Sequence, residues 1–535
     1  MSGAGERYDY IVVGAGSAGC VLANRLSADP RHRVLLLEAG GEDRNPWIRV
    51  PLGYGKLFNH PTLNWRLQTV PEPGLDGRRI PQPRGRVLGG SSAINGLVYM
   101  RGDRADFDAW RDAGNPGWGY DDLLPCFRRA EDQARGANEW HGVGGPLAVS
   151  DPTEPHPLCE AFIAAAGEAG YPRNDDFNGA TQDGAGYFQT TSRHGRRVST
   201  AHAYLHPVRR RPNLRVLTHA QATRVLFDGR RATGVEWRRD GVTARAHAAA
   251  EVILAAGALH TPQLLQLSGV GPGALLQSLG VPVVHAAPGV GAHLQDHLQV
   301  RQVFRARRAI TINDDVNSPW RSLKVGLRYL LQGKGPLTVS AGYAGAFLRT
   351  PLSPARADVQ VHFILFSTAR MGDRLDPWPG FTASICPLRP ESRGHVRATA
   401  PDIGTPPEIL CNFLGTEADR RTVVAGIREL RRVLHMPAMR AEWVEEQLPG
   451  PQVQSDDELL AYARQWGSTL YHPSCTARMG PDGDAVVDAR LRVRGVERLR
   501  VVDGSIMPAV VSGNTNAPIV AIAEKGSDLI LASEG

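Results

Sequence analysis

YDYIVVGAGSAG, Tyr8 to Gly19, is a run of apolar and β-branched residues closing on glycines; the helix-like CVLANRLSADP follows it, then RVLLLEAG, a second apolar run that ends beside Glu38. A short apolar run bounded by glycine reads as a buried strand, so this stretch predicts a strand, a helix and a second strand. Similar strands are predicted at EVILAAG (Glu251 to Gly257) and RLRVVDG (Arg498 to Gly504), the latter leading into the apolar APIVAIAEKGSDLILA. Similar buried strands thus come from three separated parts of the chain.

A different pattern lies between the last two. SLKVGLRYLLQGKG is followed by the strand-like DVQVHFILF and by TEADRRTVVAGIRELRRVL. The last has apolar residues at Val423, Val424, Ile427, Leu430 and Leu434, the spacing of one helical face. SDDELLAYARQW opens with Ser455 and, three residues on, Glu458, a capping-box pattern that predicts a helix delivering the chain to YHPSCTARMG, Tyr471 to Gly480.

Composition narrows the function. The chain has 535 residues, 42% hydrophobic and 21% charged, enough to bury large cores in more than one domain. Its 61 basic and 54 acidic residues give +7, but they are scattered, with no basic run interleaved with aromatics, which argues against nucleic acid as a partner. Six cysteines (Cys20, Cys126, Cys159, Cys386, Cys411, Cys475) show neither paired nor metal-ligand spacing, so no metal site or disulfide framework is expected. Reduced thiols, the lack of a secretory pattern in MSGAGERYDY and the lack of any 18-residue apolar stretch together predict a soluble, cytoplasmic protein.

Gly14, Gly16 and Gly19 form GxGxxG between the first strand and its helix. The first permits a tight turn, the second lets a pyrophosphate approach the backbone, and the third allows close helix packing. Glu38 stands 19 residues after Gly19 (38 minus 19), where a carboxylate can accept hydrogen bonds from a ribose. This constellation predicts a dinucleotide without distinguishing NAD from FAD. GRVLGGSSAINGLVYMRG (Gly85 to Gly102), read alone, fits either a flexible turn or a backbone that approaches a flat ring or a phosphate.

That segment resembles the first signature of the glucose-methanol-choline (GMC) flavoprotein oxidoreductases, and GALHTPQLLQLSGVG (Gly257 to Gly271) resembles their second. YHPSCTARMG and LRVVDGSIMPAVVSGNTNAP are similar to the family's C-terminal catalytic region, and the blocks stand in family order. The resemblance implies an α/β protein with a Rossmann-like, discontinuous FAD-binding domain (residues 1–155, 214–300 and 464–535) and an α+β substrate domain (156–213 and 301–463). It also implies a FAD site drawn from Gly14, Gly16, Ser17, Ala18, Gly19, Glu38, Ala39, Gly89, Gly90, Asn95, Gly96, Val98, Val225, Ala256, Gly257, Asp503, Gly504, Asn516 and Ala517.

The family's catalytic pair falls on His472 and Asn516, 44 residues apart (516 minus 472). Alcohol oxidation removes a hydroxyl proton and a hydride; a neutral imidazole is a base suited to the first, and an asparagine amide can donate to the developing alkoxide. Pro473 would stiffen the backbone beside the base, and Cys475 reads as packing. Family members that tether their flavin do so through a histidine where this chain has Ile94, so non-covalent FAD is expected. Choline-oxidising relatives carry a glutamate in a segment similar to GPLTVSAGYAGAF (Gly335 to Phe347), where this chain has Tyr343, and the resemblance therefore implies a neutral aromatic or aliphatic primary alcohol as substrate. Choline dehydrogenation and hydroxynitrile lyase chemistry are the alternatives within the resemblance, and oxygen, a quinone or another carrier is the electron acceptor.

Overall fold

The computed structural model describes residues 6–370 and 372–533. Two sheets organise them. The first has the order Leu214–Leu217, Val34–Leu37, Glu6–Val13, Val242–Leu254, Arg231–Arg239 and Gln221–Asp228, with Leu499–Val501 also pairing with Val242–Leu254. Its central strands are parallel, in registers such as Val12 to Leu36, Val13 to Leu254 and Leu254 to Val501. Helices cover them, so VLLL at residues 34–37 is buried throughout and shows no alternation. The first and last helices, Ser17–Leu26 and Asn516–Leu531, pack together on this sheet. Glu524, fully buried between them, accepts hydrogen bonds from Arg25, Arg129 and the Tyr204 hydroxyl. A buried carboxylate needs such partners, and these join the two ends of the chain.

The second sheet runs Trp443–Leu448, Leu298–Ala306, Gly380–Pro387, Val359–Ile364, Ala344–Leu348 and Gly184–Tyr187, antiparallel throughout. Both of its central strands, Gly380–Pro387 and Val359–Ile364, are buried at every position. The Glu417–Leu434 helix lays Val423, Val424, Ile427, Leu430 and Leu434 against this layer, as the spacing predicts. The Ser455 capping box is present at the head of the Asp456–Trp466 helix. Directly after that helix, Ser468–Thr469 pairs with the beginning of Leu298–Ala306, which sets the His-Pro stretch beside residues 295–297. The six cysteines are unpaired and buried. Among the described residues no helix is long and apolar enough to cross a membrane.

Candidate active site

A crevice opens at the carboxyl ends of the parallel strands, where Val13 and Leu37 end theirs and Ala255 follows Leu254. Gly14, Gly16, Ser17, Ala18, Glu38, Ala39, Gly90, Ala256, Gly257, Asp503 and Gly504 line it. The glycines are divided in role. A Cβ on Gly16 would meet nothing, so the backbone is bare toward the crevice, whereas one on Gly19 would lie 1.8 Å from the Gly14 carbonyl, so Gly19 permits the helix to touch the strand. Gly16 also caps the Ser17–Leu26 helix without a side-chain acceptor, leaving the first N–H groups of a ten-residue helix aimed at the crevice. Glu38 accepts from the Ala15 and Gly40 N–H groups at 2.8 and 2.7 Å, and burial pushes its carboxyl up to about 7. A bare turn, an open helix N-terminus and a carboxylate at the end of the next strand fit the pyrophosphate and ribose of FAD.

Asp503 is fixed between two of the separated segments. One oxygen accepts from the Gly257 N–H and Thr261 hydroxyl, the other from the Ser505 N–H and hydroxyl. Burial raises its pKa, and these four donors oppose the rise. Of the other expected residues, Asn95, Gly96, Val98 and Asn516 line an adjoining cavity, and Gly19, Gly89, Val225 and Ala517 line neither. Gly89 donates its N–H to the Ala15 carbonyl, Ala517 is buried in the first turn of the last helix, and Val225 donates its N–H to Ser268 Oγ at 2.8 Å. The crevice meets only the start of the Gln221–Asp228 strand, where Ala222 stands instead.

A second cavity adjoins the first, with Ser17, Arg84, Ser91, Thr515 and Ile519 in the walls of both. Its own lining includes Tyr54, Phe58, Ile94, Asn95, Gly96, Val98, His362, Ile364, Leu470, Tyr471, His472, Asn514 and Asn516. None of the described residues lining it is aspartate or glutamate, and its cation is Arg84.

His472 is held from three sides. Its N–H donates to Asp296 Oδ1 at 2.8 Å, while Asp296 Oδ2 accepts from Thr469 Oγ1 and Gln82 Nε2. Tyr471 and Cys475 flank it at φ +70° and +74°, a conformation that costs a non-glycine residue about 1–3 kcal/mol and persists only when neighbours impose it. The neighbours are identifiable: Arg84 donates to the Tyr471 carbonyl at 2.8 Å, and the Tyr471 N–H donates to Thr469 Oγ1 at 2.7 Å. The ring itself contacts His297, Nδ1 to Nδ1, at 2.9 Å.

This contact determines where the protons sit. His297 Nε2 lies 3.0 Å from the Leu388 carbonyl, which can only accept, so Nε2 carries hydrogen. Burial lowers the His297 pKa and keeps the ring neutral, so its Nδ1 is an acceptor. The partner hydrogen must then be on His472 Nδ1, leaving a lone pair on His472 Nε2 toward the cavity. Asn514 Nδ2 stands 3.2 Å from that Nε2, and the Asn514 carbonyl oxygen accepts from Gln360 Nε2 at 3.3 Å, which orients the amide. Burial first, and then the cost of adding a positive charge beside the His297 and His362 rings and Arg84, hold the His472 pKa well below the usual imidazole range.

His472 Nε2 contacts Asn514 Nδ2, while Asn516 also lines this cavity, begins the last helix and accepts from Ser17 Oγ at 2.7 Å; Asn514 itself follows Gly513, at φ +137°. Tyr343 is absent from the cavity wall. Its hydroxyl donates to the Glu154 carbonyl at 2.6 Å, its ring meets Tyr187 edge-on, and it lines a separate cavity with Thr153 and His156. Ala341 lines the active cavity instead, because a turn closed by Ser340 Oγ on the Gly342 carbonyl breaks the alternation before the strand begins at Ala344.

A family model described as GMC oxidoreductase matches the chain in two parts, an N-terminal one over residues 8–299 and a C-terminal one over residues 390–523. The chain is 44% identical over 527 residues to an alcohol dehydrogenase [acceptor] of Pseudomonas putida, covering 98% of this chain and 96% of the relative. It is 42% identical to an oxygen-dependent choline dehydrogenase of Photobacterium profundum, covering 98% and 93%. Among solved structures it is similar to pyridoxine 4-oxidase from Mesorbium loti, with a TM-score of 0.89, 33% identity and coverage of 97% and 98%.

Proposed function

Because this chain belongs to the GMC oxidoreductases, flavoproteins that oxidise alcohols, we propose that it converts a neutral primary alcohol with an apolar chain or ring to the aldehyde. The observation that carries this reading is His472 in the wall of a cavity in which none of the described lining residues is a carboxylate, and which is continuous with the nucleotide crevice. FAD, when bound, supplies the acceptor for the hydride that leaves the alcohol carbon. Everything else falls to side chains of this chain. Tyr54, Phe58, Ile94, Val98, Ile364 and Leu470 offer apolar area to the substrate tail and exclude water. His472 Nε2 accepts the hydroxyl proton, and Asn514 Nδ2 donates to the oxygen as its negative charge grows. Ile94 stands in the wall with no nucleophilic atom, which supports FAD held without a covalent bond.

Relatives named choline dehydrogenase favour choline as the second reading, and Tyr54, Phe58 and Tyr471 offer aromatic faces to a quaternary cation. Against it stand Arg84 in the wall and the missing counter-charge. Anaerobic flavin bleaching separates the two: benzyl alcohol or a medium-chain alkanol should reduce the flavin faster than choline by about two orders of magnitude in kcat/KM, the worth of roughly 3 kcal/mol of uncompensated charge burial. Faster bleaching by choline would refute the reading. The unpaired, buried thiols support a reducing compartment.

A further inference from the structure

The Pro319–Gln332 helix, PWRSLKVGLRYLLQ, presents its apolar face to solvent. Trp320 is 76% exposed, Leu330 73% and Leu331 82%, with Leu323 and Leu327 about half exposed, and no residue of the helix is buried. At 100° per residue these five side chains fall within an arc of about 100°, while Val325 and Tyr329, the half-buried positions turned to the protein, lie on the opposite side. An amphipathic helix of a soluble domain buries that arc in its own core; this one turns it outward along roughly 21 Å of axis (14 residues at about 1.5 Å each).

Its charge is one-sided as well. Arg321, Lys324 and Arg328 lie on one flank of the apolar arc, Lys334 follows the helix, and the helix sequence contains no acid. Arg328 is paired with Glu154, and Arg321 donates to the Ala309 carbonyl, while Lys324 is exposed. A Trp-ended apolar ridge with a cationic flank matches a surface that is apolar below and anionic above. A second copy of the chain carries the same cations and the same +7, which opposes self-pairing through this face. We infer that this helix docks the protein on the surface of an anionic bilayer, inserting Trp320, Leu323, Leu327, Leu330 and Leu331 between the headgroups.

The helix leads within ten residues to Ala341 in the wall of the active cavity, and the intervening Pro336–Thr338 turn packs on Pro51–Gly53, next to Tyr54 of the same wall. The docked face and the cavity are therefore mechanically joined, although the inference does not depend on which alcohol the cavity takes.

The test is co-sedimentation of the flavin-loaded full chain with phosphatidylcholine vesicles, with and without phosphatidylglycerol. The chain should sediment with the mixed vesicles and much less with the neutral ones. Leu327→Glu with Leu331→Glu should weaken binding by about tenfold or more, and Arg321→Glu with Lys324→Glu should abolish the preference for the anionic lipid. Both variants should keep the wild-type rate of flavin reduction by a water-soluble alcohol, which shows that they are folded. Wild-type protein left in the supernatant, equal binding to both vesicles, or unchanged binding of the leucine variant would overturn the inference. A wild-type dimer in light scattering that becomes monomeric in the leucine variant would also overturn it, by identifying a second copy as the occupant.

Discussion

Replacing His297 by phenylalanine tests the proton assignment at the site. The variant fills much of the ring volume but removes the acceptor 2.9 Å from His472 Nδ1. A buried donor left without a partner costs about 1–3 kcal/mol. His472 can avoid that cost only by turning or by moving its hydrogen to Nε2, and either change takes the lone pair away from the substrate. At about 1.4 kcal/mol per tenfold, the limiting rate of flavin reduction should fall by about 5- to 150-fold. The assay is stopped-flow reduction under anaerobic conditions as a function of pH. In the wild type the depressed His472 pKa leaves the neutral base dominant above the folded value, so the rate should be flat at neutral and alkaline pH. It should fall only when the pH drops through a value below 6.5. If His297 acted on His472 through charge alone, its loss would raise the inflection and leave the plateau untouched. The account instead requires a lower plateau, with partial recovery in His297→Gln, whose amide oxygen can accept the same N–H. A plateau unchanged in His297→Phe would refute the tautomer argument.

Asn514→Ala should slow flavin reduction by about tenfold to a hundredfold, since it removes one hydrogen bond to a developing charge. Asn516→Ala should act mainly on flavin affinity through Ser17; the reverse ranking, measured by the same reduction assay and by flavin titration, would restore Asn516 as the partner of His472. Acid precipitation of the holoprotein should leave the yellow colour in the supernatant, and colour in the pellet would show that another residue tethers the flavin.

The nucleotide half of the site was legible because its chemistry is local. A strand, three spaced glycines, a helix and an acid are contiguous in sequence, and Gly14, Gly16 and Glu38 all stand in the crevice. The catalytic half was legible only through its motif. SGNTNAP holds two asparagines two residues apart, and the choice between them depends on the φ of Gly513 and on where the last helix starts, neither of which spacing reveals. Tyr343 lies off this cavity for a similar reason: a turn at Ser340–Gly342 resets strand alternation. Asp296 and His297 went unnoticed although in AHLQDHLQV this adjacent acid and imidazole directly precede the Leu298–Ala306 strand. Their relation to His472 is non-local, created by the pairing of Leu298 with Thr469.

The central claim is that His472 is the base in the cavity it shares with Asn514. The most direct measurement is the rate of anaerobic flavin reduction by a neutral apolar alcohol in His472→Ala, with flavin content and affinity measured in parallel. The account predicts a fully loaded flavoprotein whose reduction is slower by roughly two to four orders of magnitude, the usual worth of general-base catalysis. A loaded variant that reduces its flavin at close to the wild-type rate would contradict it.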